Sequence, residues 1–140
     1  MDRDTESDAQ CFCCGERNEQ GLHIAFDHRQ AEAEASFEIP SYFSGWKGIA
    51  HGGVLSMLLD EVMAHACLGL AESAVTAEMT VRFVKPVATG TRVRLVGKVA
   101  ETRGRILSTL GWIYDETGAE AAHATARFIA SRQKAVDRAG

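Results

Sequence analysis

The stretch that most limits what this chain can become is His51-Gly52-Gly53-Val54-Leu55-Ser56-Met57-Leu58-Leu59-Asp60-Glu61-Val62-Met63-Ala64-His65-Ala66, a polar, glycine-paired entrance to the one long apolar run in the sequence. Apolar residues fall on nearly every side of its helical projection, the mark of a helix surrounded by protein. Good helix formers, the lack of an internal proline and a stop at Gly69 predict a helix from about Gly52 to Leu70. Two carboxylates, Asp60 and Glu61, sit in its middle. Burying an ionised carboxylate costs several kcal/mol unless something compensates it, so each acid needs a partner or a task.

The rest of the chain supplies strands to surround such a helix. Before it, Leu22 to Asp27 and Glu32 to Ile39 alternate apolar with other residues, His28-Arg29-Gln30 suits a hairpin between them, and Pro40 ends the second. After it, Val75 to Val84, Thr91 to Glu101, Ile106 to Asp115 and Glu120 to Ser131 repeat with period two, with short glycine-containing turns among them, and read as an antiparallel meander. One apolar helix beside one antiparallel sheet of about six strands is an α+β layer arrangement in which the sheet curls around the helix. Residues 1–10 are polar and aperiodic and read as a disordered leader, 11–131 as one domain, and 132–140 as a charged, flexible tail. Tyr42, Phe43 and Trp46, in the glycine-containing loop before the helix, read as packing beneath that loop.

Composition narrows the class of partner. A net charge of -4 over 140 residues argues against nucleic acid or an anionic membrane, and no apolar run approaches the roughly 18 residues of a membrane span. The acidic start lacks the apolar core of a signal peptide, and four cysteines, three of them crowded at Cys11, Cys13 and Cys14, make no disulfide framework. A cytosolic protein is expected. Cys11-x-x-Cys14 with His23 and His28 downstream has ligand types that suit zinc, but the spacing is short for a finger and both histidines fall in or beside a strand, so no metal is assigned.

The order of elements, together with Gly48-Ile49-Ala50-His51-Gly52-Gly53, an acid at Asp60 and Val75-Thr76-Ala77-Glu78-Met79 opening the next strand, resembles the hotdog-fold acyl-CoA thioesterases of the phenylacetate-pathway, PaaI-like, type. The leading Cys11-Phe12-x-Cys14-Gly15-x-x-Asn18-x-x-Gly21-Leu22 is similar to a variable feature of one branch of that family. The resemblance implies a hotdog protomer, acyl-CoA as substrate, no cofactor, and a homodimer or dimer of dimers with the site at the subunit interface. It also implies that Asp60 is the catalytic carboxylate, Gly53 the backbone donor to the thioester carbonyl, Thr76 a hydroxyl that holds the attacking water, and His51 a substrate-orienting group. One departure stands out: many members carry an asparagine in the loop before His-Gly-Gly, and Phe43-Ser44-Gly45-Trp46-Lys47 has none. Ser44 is the substitute that loop offers, and a binding protein that holds an acyl thioester without cleaving it is the rival reading.

These assignments suit the chemistry. Thioester hydrolysis needs an activated water or carboxylate nucleophile and donors aimed at an oxygen that turns anionic. A helix N-terminus offers unpaired amides and a favourable dipole, and Gly52 and Gly53 leave it bare enough for close approach. Gly53 and Asp60 are nonetheless separated by roughly 10 Å of helix at about 1.5 Å per residue. If both act on one thioester, they come most simply from two helices antiparallel across a two-fold axis. Ser56 and Ala64, one turn to either side of Asp60, are small and leave room for substrate or a second helix. Glu61 lies one turn from His65, its expected partner.

Overall fold

The structure, a computed structural model, describes residues 9–133. The expected leader and tail therefore fall mostly outside the described residues, although Ala9 is already tied down by the Arg17 amide, which donates to its carbonyl at 2.8 Å. Six strands and one long helix follow: β1 (Asp27–Arg29), β2 (Glu32–Glu38), α1 (Gly52–Cys67), β3 (Ala71–Phe83), β4 (Arg92–Arg103), β5 (Ile106–Tyr114) and β6 (Glu120–Gln133). The strands form one sheet, in the order β1-β2-β4-β5-β6-β3, with every pair antiparallel. Among the described residues no helix is long and apolar enough to cross a membrane.

The helix lies across the concave face of this sheet because the sheet has been cut back where it passes. Ala33, Gly97, Gly111 and Ala124 are in register on four adjacent strands, giving a row of minimal side chains. A Cβ on Gly97 would run into the Val62 carbonyl, and one on Gly111 would sit 3.0 Å from Met63 Cγ. To either side the inward positions fill with larger groups, including Val93, Leu95, Leu107, Ile113 and Phe128, all buried. Leu58, Leu59, Val62 and Met63 are fully covered, at roughly 1.5–3 kcal/mol of hydrophobic stabilisation for each large side chain. The buried Thr109 hydroxyl donates to the Ala126 carbonyl at 3.1 Å, so the polar group within this core is satisfied.

Several boundaries differ from the sequence reading, each for a backbone reason. Residues 22–26 are not a strand: the Leu22 and Ile24 amides donate to Phe12 and Cys13 carbonyls, and His23 turns through φ +54. The first hairpin instead pairs Arg29 with Glu32, so its turn is Gln30-Ala31 and not His28 to Gln30. The helix ends at Cys67, and Gly69 is not a left-handed stop. It is small because a Cβ there would collide with the Gln30 carbonyl.

The expected four-strand meander is also corrected. β4, β5 and β6 follow one another, but β3 pairs with β6 at the far edge. Residues 84–91 carry the chain back across the end of the sheet. Their backbone groups are used on the way: Val84 and Lys85 donate to the Ala121 carbonyl, the Val87 carbonyl accepts from Ala50, Thr89 donates to Gly48 and Gly90 to Ile39. Pro86 has no amide to give a hairpin ladder.

Candidate active site

The entrance of α1 is built by backbone bonds from two directions. The His51 amide donates to Phe43 O at 2.9 Å and the Ala50 amide to Val87 O at 2.8 Å, which holds His51 in extended backbone at the N-cap. From there its ring reaches over the first turn, and Nδ1 accepts the Gly53 N–H at 2.8 Å. Glycine at 53 follows from that contact, since a Cβ would stand 3.0 Å from Nδ1. Gly52 is different: a Cβ there meets only the Phe83 ring, at 3.5 Å, and its N–H has no partner among the described residues. With Nδ1 accepting, a neutral His51 carries its proton on Nε2 and presents that N–H outward. The terminus therefore offers two ready donors, the Gly52 amide and His51 Nε2, while Gly53 is committed to its cap. Ser56, expected at the substrate, donates to the Gly52 carbonyl at 3.0 Å and steadies the same turn.

Two turns on, Asp60 meets Thr76, whose hydroxyl donates to Oδ1 at 2.5 Å. Strand alternation alone aims Val75 and Ala77 inward and Thr76 outward. A bulge between Thr76 and Glu78 reverses this: before it the even positions Ala74 and Thr76 face the helix, and after it the odd positions Met79 and Val81 do. The irregularity thus aims the hydroxyl at the acid. Burial raises the Asp60 carboxyl above its ordinary range, the Thr76 hydrogen bond opposes this, and the neighbouring Glu61 charge adds to it.

Glu61 faces a different neighbour, the N-terminal loop. Its Oε1 is 3.3 Å from His65 Nε2, the expected partner, and accepts from the Cys11 thiol at 3.4 Å. His65 is itself fixed by the stacked Phe26 ring, 3.9 Å between centroids, and by His28 Nε2, 2.9 Å from Nδ1. Burial would raise Glu61, but hydrogen bonds from His65, Cys14 and Cys11 with the His65 charge outweigh it, and the carboxyl is held low.

Asp60 and Thr76 are thus brought together within the chain, while His51, Gly52 and Gly53 lie at the other end of the helix segment. His51, Gly52, Gly53 and Thr76 are exposed and Asp60 half-buried. Around the entrance stand large apolar side chains without cover: Trp46 and Tyr42, 82% and 80% exposed, with Phe83 and Val84. The expectation that Tyr42 and Trp46 pack beneath their loop is corrected; only Phe43 turns in, because the 3-10 turn Ser41–Phe43 and the Ser44–Ala50 bridge splay the loop outward. The thiol contact to Glu61 had no signal in the sequence, since the residues are 50 positions apart.

The Thioesterase superfamily model matches residues 47–122, which span the helix entrance, Asp60, Thr76 and the following strands. Among solved structures, a thioesterase superfamily protein aligns with TM-score 0.79 and 22% identity over 86% of this chain and 60% of its own. A hypothetical thioesterase from Streptococcus pneumoniae TIGR4, solved with coenzyme A, aligns at TM-score 0.75 and 17% identity over 80% and 91% of the two chains. The E. coli PaaI protein of the phenylacetic acid degradation operon gives TM-score 0.72 and 19% identity over 77% and 83%. Nothing matches among curated protein sequences. With one helix wrapped by six antiparallel strands and more than half of its length within the family's model, the chain belongs to the thioesterase superfamily and has the hotdog fold.

Proposed function

We propose that this protein hydrolyses acyl-CoA thioesters to the free acid and CoA, with Asp60 as base or nucleophile. The observation that carries the reading is the Asp60–Thr76 contact on the open side of the central helix. A carboxylate raised by burial, with a second oxygen free of any hydrogen bond among the described residues, is equipped to take a proton from water or to attack a carbonyl. Thr76 orients it and, in the absence of a loop asparagine, is the hydroxyl that also positions the water. At the helix entrance the Gly52 amide and His51 Nε2 receive the carbonyl oxygen as it becomes anionic. Gly53 joins them only if that oxygen displaces His51 Nδ1 from its amide. The coenzyme A bound to the pneumococcal relative supports CoA as the carrier.

The two halves of the machinery are brought onto one substrate by a homodimer, which pairs further into a dimer of dimers or stands alone in the cytosol. β3 is an edge strand of 13 residues with one side unpaired, and Thr76 lies near its middle. Two such edges meeting about a two-fold axis would continue the sheet and set the two helices antiparallel, with Asp60 of one beside the entrance of the other. The same pairing would cover apolar groups now facing solvent, Phe83 and Val84 among them.

Thiol release from a panel of aliphatic and aromatic acyl-CoAs tests the reaction: turnover by the native chain that Asp60→Ala abolishes supports it, and binding without turnover would replace it with a carrier role. Subunit mixing tests the shared site. Asp60→Asn and Gly53→Leu are each expected to be inactive, and their re-equilibrated mixture to regain activity; no recovery in a verified heterodimer would place the whole site in one protomer.

A further inference from the structure

The loop Cys11-Phe12-Cys13-Cys14-Gly15 takes no part in the reaction proposed above, yet it is folded tightly against the central helix. Gly15 donates its amide to Cys11 O at 2.9 Å and Cys14 donates its amide to Cys11 Sγ at 3.4 Å, so the loop turns back upon its own first thiol. The turn is too tight for any side chain at 15, where a Cβ would strike the backbone of Cys11 and Ala9. Leu22 and Ile24 amides clamp it through Phe12 and Cys13 carbonyls, both at 2.8 Å, and Cys13 and Ile24 anchor it in the core. The result is that the ligand atoms of Cys11, Cys14 and Glu61, from a loop and a helix far apart in the chain, all lie within 4.8 Å of one another.

We propose that Cys11, Cys14 and Glu61 form a binding site for a borderline-soft divalent cation, Zn²⁺, with solvent in the fourth position, which fastens the N-terminal loop to α1 beside Asp60. Two thiolates and a carboxylate are ligand types that zinc accepts and that magnesium or calcium does not favour. Tetrahedral zinc with bonds of about 2.0–2.3 Å holds its donors roughly 3.3–3.8 Å apart, so side-chain adjustments of about an ångström close the cage. The 3.4 Å Cys11–Glu61 contact already has that spacing. All three residues are half-buried, which leaves one side open to water.

The surroundings support the ligands as metal sites require. Glu61 is oriented by His65, and His65 by His28 and the Phe26 ring, a chain of fixed groups behind a liganding carboxylate. The Cys14 amide on Cys11 Sγ is the kind of donor that offsets charge on a thiolate. The finger-like set Cys11, Cys14, His23 and His28 is not assembled: His23 Nε2 is 2.6 Å from Asn18 O, and His28 is engaged with His65. The third ligand comes from the helix instead.

The full-length chain, stripped with chelator, reloaded with Zn²⁺ and desalted, is expected to retain about one ion per chain by elemental analysis. Cys14→Ser and Glu61→Gln should each weaken binding roughly tenfold or more in competition with a chromophoric chelator, whereas His23→Ala should not. Cobalt-loaded native chain should show a near-ultraviolet thiolate-to-metal absorption band that Cys14→Ser loses. That band reads ligation directly, is independent of hydrolysis, and decides the matter in the native chain even if a variant fails to fold. No retained zinc together with no thiolate band overturns the proposal, as does equal retention by native chain, Cys14→Ser and Glu61→Gln.

Discussion

Asp60 and Glu61 are adjacent on one helix, carry the same functional group and live in opposite environments. Asp60 looks toward the sheet edge and receives one hydroxyl, from Thr76, on one oxygen. Glu61 looks toward the N-terminal loop and is met by His65 and by thiols. Burial pushes both carboxyls up, and only at Glu61 do the surrounding donors reverse it. A half-buried carboxyl is thus held above or below its ordinary range by what the chain brings opposite it. The same helix carries one of each because successive residues point about 100° apart.

That contrast can be broken most sharply at Asp60. Asp60→Asn keeps the shape and the Thr76 partner, and turnover with acyl-CoA is expected to fall by about 10²–10⁴-fold while the melting temperature holds or rises. Hydrolysis close to that of the native chain would remove Asp60 from the reaction. Glu61→Gln should do the reverse in stability: losing charge-assisted bonds to His65 costs about 1–3 kcal/mol, read as a lower denaturant midpoint in urea. An unchanged midpoint would mean that the Glu61 cluster holds nothing in place.

Thr76→Val asks whether the hydroxyl matters apart from the strand. It retains branching and bulk, so kcat should drop roughly tenfold with little change in KM, and Thr76→Ser should restore most of the loss. Equal kcat in the valine variant would reduce Thr76 to a strand residue. The smallest effect belongs to a third carboxylate, the half-buried Asp115 in the turn after β5. It is held well below the usual carboxylate range by Lys85, at 2.6 Å, by the Thr117 hydroxyl, and by Thr117 and Ala119 amides. Because its folded form binds protons less readily than its unfolded form, the stability it adds is present at neutral pH and is lost as pH falls through and below the ordinary carboxylate range. The melting-temperature gap between native chain and Asp115→Asn should therefore be widest near pH 7 and close toward acid; a gap independent of pH would contradict this.

Most of the architecture was legible because period-two and helical patterns report local burial. The helix start at Gly52, the strand spans from β4 to β6 and the Glu61–His65 pairing all follow from spacing within a few residues. Residues 22–26 misled for the same reason: they alternate like a strand, but their amides are taken by the cysteine loop. Tyr42 and Trp46 misled because aromatic composition says nothing about which way a loop turns its side chains.

Local pattern was enough for an apolar helix with a bare, glycine-paired entrance, two acids in its middle and enough alternating strand to surround it, since these depend on neighbours within a turn or two. Tertiary structure decided which acid meets a hydroxyl and which meets thiols. One extra residue in the β3 ladder turned Thr76 toward Asp60, and a loop 50 residues away brought Cys11 to Glu61. Both depend on the register of distant segments, which packing against the whole sheet fixes and no local pattern encodes.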